Sequence, residues 1–248
     1  MIELSDVSKS FRVQGGRHFL RDYFSGRVSP VRSSKFWALQ NVSFSVQRGE
    51  SVALIGRNGA GKSTALTLIS GLTAPDSGKV RVQGRLSPLL QLGAGFHADL
   101  TGRENLFLNA AILGFHRKDV IRQYDAIVEY AGIEEFIDQP LRTYSTGMTL
   151  RLAFAIAIHI DPEVLLVDEV LAVGDASFRD KCRQSIERLQ RNGASLLLVT
   201  HEMASVKSLC KRVVWLNHGK VILTGSPAEV LPKYEEALHR PELVSSLA

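Results

Sequence analysis

The sequence predicts an α/β fold with a mostly parallel core sheet, an antiparallel β region ahead of it, and a block of helices inserted in the middle. Three observations carry this. The apolar run Ser51–Ile55 leads into a glycine-rich loop and then the helical Ala65-Leu66-Thr67-Leu68-Ile69. Later, the short apolar strands Val164–Val167 and Ser195–Thr200 alternate with helical stretches. Between them, over about residues 93–160, the pattern is helical.

The elements follow in order. Ile2–Phe11 alternates as a half-buried strand does, and period 2 returns at Leu39–Val46 before a turn at Arg48-Gly49. Residues 15–37 differ: Arg17, Arg21, Arg27, Arg32 and Lys35 stand against the single acid Asp22, with aromatic residues interleaved. After the glycine-rich loop, Pro75-Asp76-Ser77-Gly78 reads as a turn, and Lys79–Val82 and Leu86–Leu90 as short strands. Thr101-Gly102-Arg103-Glu104 is a capping box that opens helical pattern through Leu106–Leu113 and Asp119–Tyr130. Leu150–Ile160 reads as a buried helix, and Arg212–Leu216 with Lys220–Thr224 as a hairpin around Asn217-His218-Gly219. A second box, Ser226-Pro227-Ala228-Glu229, opens a C-terminal helix and tail over 226–248.

Composition excludes other classes. The 248 residues carry 30 Lys+Arg against 25 Asp+Glu, a net +5, with 45% apolar and 22% charged residues. Such a balance is ordinary for a globular protein and rules out disordered, collagen-like or disulfide-stapled chains. Cys182 and Cys210 lack zinc-site spacing and read as reduced core thiols of a cytosolic protein. No stretch approaches the ~18 apolar residues of a membrane helix. The start, Met1-Ile2-Glu3-Leu4-Ser5-Asp6, is acidic and alternating, unlike a signal peptide. A role at a membrane is therefore expected to run through a partner. The pI near 9.3 fits a nucleic-acid, nucleotide or anionic-surface partner, but +5 over 248 residues is weak evidence for any of them, and no nucleic-acid partner is expected.

Gly56-Arg57-Asn58-Gly59-Ala60-Gly61-Lys62-Ser63 matches G-x-x-x-x-G-K-S between a strand and a helix. Such a loop wraps a phosphate with backbone N–H groups, and its glycines allow the close approach. Lys62 supplies charge for the β- and γ-phosphates, and the Ser63 hydroxyl can ligate Mg²⁺. Thr64 adds a hydroxyl at a helix N-terminus, where the dipole favours anions. Nucleotide binding follows. The run Val164-Leu165-Leu166-Val167-Asp168-Glu169 ends an apolar strand in two acids. Ligands in open α/β sheets bind at such strand ends, so Asp168 is assigned to Mg²⁺ and Glu169 to polarising the attacking water. Leu196–Thr200 repeats the design and presents His201, either as a γ-phosphate contact or as a surface histidine.

Together with Tyr144-Ser145-Thr146-Gly147-Met148 and Val199-Thr200-His201-Glu202, these motifs resemble the ATP-binding subunit of an ABC transporter over nearly the whole chain. The usual signature of that family reads L-S-G-G-Q. The departure to Y-S-T-G-M, and the segment Leu92–Asn105, resemble the branch that exports surface polysaccharides such as O-antigen, capsule or teichoic acid. The resemblance implies a P-loop ABC-ATPase fold in a single domain, 1–248, with ATP and Mg²⁺ as cofactors. It implies that Ser145 and Gly147 touch the γ-phosphate of ATP held by the opposite subunit of a head-to-tail homodimer. It places Ala172-Val173-Gly174-Asp175 as the loop after the catalytic Glu, and Phe11 as the aromatic that stacks on adenine. Gln91 is the glutamine nearest the family's Mg²⁺-ligating Q-loop position, one residue beyond the usual spacing; a strand-end residue that happens to be Gln is the other reading.

The leading expectation is an ATPase that powers export of a lipid-linked glycan through a separate multi-span permease, from the cytoplasmic face of the bacterial inner membrane. The alternatives are a non-transport ABC ATPase acting on nucleic acid or ribosomes, and a P-loop small-molecule kinase. In residues 15–37, Phe19, Leu20, Tyr23 and Phe24 fall on one face of a short helix beside Arg17 and Arg21. That face suits docking on the permease or shaping the glycan-lipid entrance, against the plainer reading of a basic loop.

Overall fold

A computed structural model describes residues 1–14, 33–89, 92–159, 161–168 and 175–240. Two sheets form. The first is antiparallel, β2-β1-β4, made of β1 (Ile2–Gln14), β2 (Ser33–Val46) and β4 (Ser77–Val82). The second runs β5-β6-β7-β3-β8-β9, built from β3 (Ser51–Ile55), β5 (Leu86–Pro88), β6 (Val164–Asp168), β7 (Ser195–Val199), β8 (Arg212–Asn217) and β9 (Lys220–Gly225). All its pairings are parallel except β8–β9.

The central strands read as continuous apolar runs because both of their faces are covered. Along β3, Val52 and Leu54 pack between the two sheets with α1 (Lys62–Ile69), while Ala53 and Ile55 face the opposite core. β6 divides the same way, Val164 and Leu166 against Leu165 and Val167. The opposite core is filled by α5 (Ala176–Arg191), α6 (Met203–Leu209) and α7 (Pro227–His239), with Cys182 and Cys210 buried in it as free thiols.

The helical block has its own core. It comprises α2 (Gly102–Ile112), α3 (Arg117–Ala131), two 3₁₀ turns at Glu134–Phe136 and Leu141–Thr143, and α4 (Thr146–His159). Both capping boxes form, at Thr101–Glu104 and Ser226–Glu229. Every residue from Leu152 to Ile158 is buried because α4 serves two cores: Leu152, Ala155 and Ile156 face α2 and α3, while Phe154, Ala157 and Ile158 face the main sheet.

Several boundaries differ from the sequence reading. Residues 33–37, read as part of the insertion, extend β2, and β1 runs on to Gln14, so the hairpin is longer at its loop end, where Gln14 pairs with Ser33. The insertion shrinks to 15–32, and Phe19, Leu20, Tyr23 and Phe24 lie outside the described residues. The turn at 75–78 is a bend: β4 already begins at Ser77, with Gly78 at φ +83° and no room for a Cβ against the Asp6 and Ser5 carbonyls. β5 stops at Pro88.

Asn105 organises the turn ahead of α2. Fully buried, it accepts the His97 N–H at 2.7 Å and donates to the carbonyls of His97, Leu100 and Thr101 at 2.9–3.0 Å. Asn105→Ala should leave the His97 N–H without its partner, strip the three carbonyls of their second donor, and destabilise the protein by about 2 kcal/mol. A urea titration should show a lower midpoint at unchanged slope.

Candidate functional site

The site is assembled by strand register. Leu54 of β3 pairs with Val199 of β7, which pairs with Asp168 of β6. That row places the start of the phosphate loop, the Asp168 carboxylate and the Thr200-His201 step side by side at the carboxyl ends of three adjacent parallel strands. Crevices outside these ends are where open α/β sheets bind ligands.

The phosphate loop is held in place by its neighbours. Gly56 has φ +155°, and a Cβ there would fall 2.3 Å from the Leu216 carbonyl oxygen. Gly61, at φ +106°, presses against the Ala38 carbonyl and the Leu39 side chain and opens α1. Lys62 is buried to 9% exposure, and its Nζ donates to the carbonyl oxygens of Gly56 at 2.6 Å and Arg57 at 3.2 Å. Its charge is thus turned into the curl of the loop. Ser63 is exposed, Thr64 is half-buried, and the first turn of α1 contains no acid, so the positive helix end is left for an anion.

Beside the loop lies a cavity of about 950 Å³, lined by Arg57, Asn58, Gly59 and Ala60 and closed by Phe36, Gln40, His218, Lys220, Trp215 and Tyr234. Phe36 pairs directly with Phe11 across β1–β2, so both rings share one face of the ribbon. Phe11 is 45% exposed, and the Lys9 ammonium lies 5.8 Å from its ring centre. The Phe36 contribution was hidden in sequence because residue 36 was read as insertion.

Ser145 stands just before α4, where its Oγ accepts the Met148 N–H at 3.2 Å. Tyr144 and Met148 pack into the helical-block core, so the signature belongs to a different packing unit from the phosphate loop. Gly147 has no crowding of its own: a Cβ would meet only Ser145 Oγ, at 3.7 Å. Among the described residues nothing explains a glycine there. Glu169 and Gln91 lie outside the described residues.

Two arrangements went unread in the sequence. Asp175, seen there only as the end of a loop, caps α5 by accepting the Phe178 N–H at 2.9 Å and pairs with Arg151 of α4 at 2.7 Å. These contacts hold its carboxyl below the usual range, the helix-capping bond most of all. The hairpin turn at His218-Gly219 is wedged between β2 and the phosphate loop: the Gly219 N–H donates to Ala60 O at 3.0 Å, and its carbonyl accepts from Gln40 N at 2.7 Å. Both contacts span long sequence distances and leave no local signal.

The comparisons agree with this geometry. A family model described as ABC transporter matches residues 39–172. The chain belongs to the ABC transporter family. It is a nucleotide-binding ATPase of that family. It is 44% identical over 208 residues to the O-antigen export system ATP-binding protein RfbB of Klebsiella pneumoniae, covering 84% of this chain and 85% of that protein. The RfbB of Myxococcus xanthus is 42% identical over 99% of this chain and 58% of its own length. The teichoic acids export ATP-binding protein TagH of Listeria monocytogenes serotype 4b (strain F2365) is 40% identical, over 95% and 70%. Among solved structures, an ATP-binding subunit of an ABC transporter superposes with TM-score 0.74 at 24% identity, covering 94% of this chain and 93% of that one. A dimeric ATP-binding cassette in a post-hydrolysis state with ADP and Pi gives 0.72 at 21%, over 92% and 99%. These likenesses place the fold.

Gly219→Ala should cost about 2 kcal/mol or more, since the residue has φ +76° and its Cβ would lie 2.7 Å from the Ala38 oxygen. Gly114→Ala, at φ +81° with nothing within 4 Å, should cost only the backbone term of about 1 kcal/mol. Paired thermal denaturation curves measure the difference.

Proposed function

We propose that two copies of this chain form a head-to-tail homodimer that hydrolyses MgATP and drives export of a lipid-linked surface polysaccharide through a separate multi-span permease. The observation that carries the dimer is Gly147, a glycine that no described residue crowds, at a helix end beside the exposed Ser145. An approaching phosphate from a second copy supplies the missing constraint, and a two-fold arrangement uses the contact twice.

In this reading the loop Gly56–Thr64 holds the phosphates with its backbone, and Lys62 turns from the Gly56 and Arg57 carbonyls to the β- and γ-oxygens. Phe11 and Phe36 offer an aromatic face for the base. The donor set fits Mg²⁺, which takes hard oxygen ligands and shares them with substrate phosphates. Among the described residues no cluster of three His, Cys, Asp or Glu exists, so Ser63 and Asp168 would hold the ion with phosphate oxygens, and Gln91 is the further candidate. When bound, Mg²⁺ neutralises charge on the β- and γ-phosphates. Glu169 orients and deprotonates the attacking water, His201 contacts the γ-phosphate from the end of β7, and Ser145 with Gly147 of the other copy closes over it.

No helix among the described residues is long and apolar enough to cross a membrane. In this reading the transport step belongs to a permease, with this chain peripheral on the cytoplasmic face. The glycan assignment rests on the relatives named for O-antigen and teichoic acid export.

Three variants separate the roles. Lys62→Ala should lose both nucleotide affinity and turnover, the latter by at least about a hundredfold. Glu169→Gln should bind ATP and stay closed as a dimer without hydrolysing it; hydrolysis at the wild-type rate would remove Glu169 from catalysis. Gly147→Asp in the Glu169→Gln background should bind ATP yet sediment as a monomer, because a carboxylate there repels the phosphate it must approach.

A further inference from the structure

The signature departs from its family at the first position, where Tyr144 stands in place of leucine, and the structure gives that tyrosine a task. Its O–H donates to the Phe136 carbonyl at 2.7 Å. The ring reaches that carbonyl over the first residue of α2: a Cβ on Gly102 would lie 2.1 Å from the phenol oxygen. Gly102 has an ordinary helical backbone, so its requirement is space, for the Tyr144 phenol first and for the Ile137 carbonyl oxygen, which would lie 3.0 Å from the same Cβ.

The surroundings form one unit. Residues 98–103 are zipped to 137–142 by backbone bonds from Gly102 to Gln139 (3.1 Å), Arg103 to Ile137 (2.8 Å), Leu141 to Leu100 (2.8 Å) and Arg142 to Ala98 (2.9 Å). Two ion pairs flank the zipper, Arg103–Asp138 at 2.7 Å and Arg142–Asp99 at 3.0 Å. Both are exposed and contribute little energy by themselves. The zipper ends at Leu141–Thr143; Tyr144 follows, its N–H donating to Leu141 O at 3.0 Å, and its phenol adds a side-chain restraint directly before Ser145. Partial burial pushes that phenol up to about 12, so it remains a donor throughout the physiological range.

We propose that Tyr144 is a positioning residue for ATP hydrolysis: its bond to Phe136, over Gly102, fixes Ser145 to the segment at 136–142 that is zipped to 98–103, so that the signature meets the partner's nucleotide in one register. A leucine is too short to reach that carbonyl and has no donor to offer it. The inference rests on the dimer reading given above, in which Ser145 acts on the other copy's site. It adds that the 98–103 segment and the altered signature Tyr144–Met148 act as one unit.

The test is steady-state hydrolysis by the full chain carrying Tyr144→Phe, with ATP affinity and unfolding temperature measured on the same samples. kcat should fall about three- to tenfold, the range of one net hydrogen bond, while KM and nucleotide affinity stay within about twofold. Gly102→Ala, which evicts the phenol, should reproduce the split. In the Glu169→Gln background, Tyr144→Phe should weaken the ATP-dependent dimer by a similar factor. Tyr130→Phe is the control: it also deletes a phenol bond, 2.9 Å to Ser185, but in the main core, and should lower stability with kcat unchanged. Unchanged kcat in Tyr144→Phe, or a loss that merely tracks stability, overturns the proposal. Ser145→Ala separates the two levels. If it also hydrolyses normally, the dimer reading falls with the proposal; if it fails while Tyr144→Phe does not, only the role of Tyr144 is lost.

Discussion

Everything at the site depends on three parallel strands being buried on both faces. β3, β6 and β7 carry no exposed side chain before Asp168, so each is sealed between the α1 layer and the α5–α7 layer and cannot shift register without exposing apolar surface. Their carboxyl ends are therefore fixed in height relative to one another. A glycine loop, an acid and a histidine on three separate stretches of sequence become neighbours for that reason alone. The loop itself has little freedom, since Gly56 and Gly61 are each pressed against a carbonyl from another strand.

A second constraint divides the molecule. From Leu152 to Ile158, α4 is buried all round because it closes the helical block with one side and the main core with the other. A helix shared between two cores transmits displacement, since packed interiors resist compression. Its N-terminus bears Ser145 and Gly147, and Arg151, one and a half turns in, pairs with Asp175 at the end of the segment that follows Glu169. The two halves of the proposed composite site are thus mechanically joined in each copy, although they act on different nucleotides.

Much of this was legible in sequence. The phosphate loop could be read from G-x-x-x-x-G-K-S because its chemistry and its flanking elements are local, and β6 and β7 from unbroken apolar runs. Both capping boxes form where the spacing put them. The contacts that were not legible are long-range. Phe36 reached the cavity only because β2 begins earlier than its alternation suggested. Gly219 looks like any hairpin glycine until its bond to Ala60 is seen. Asp175 reads as loop, yet its carboxylate is shared between a helix end and an arginine 24 residues away.

The central claim is that each site takes its phosphate loop from one copy and its signature from the other. Mixing Lys62→Ala subunits with Gly147→Asp subunits tests it most directly. In a head-to-tail mixed dimer both lesions fall in one site, and the other is wholly intact. The account predicts that two preparations inactive alone recover ATP hydrolysis when combined, toward half the wild-type rate per dimer for the mixed species. A mixture as inactive as its components would contradict the shared site.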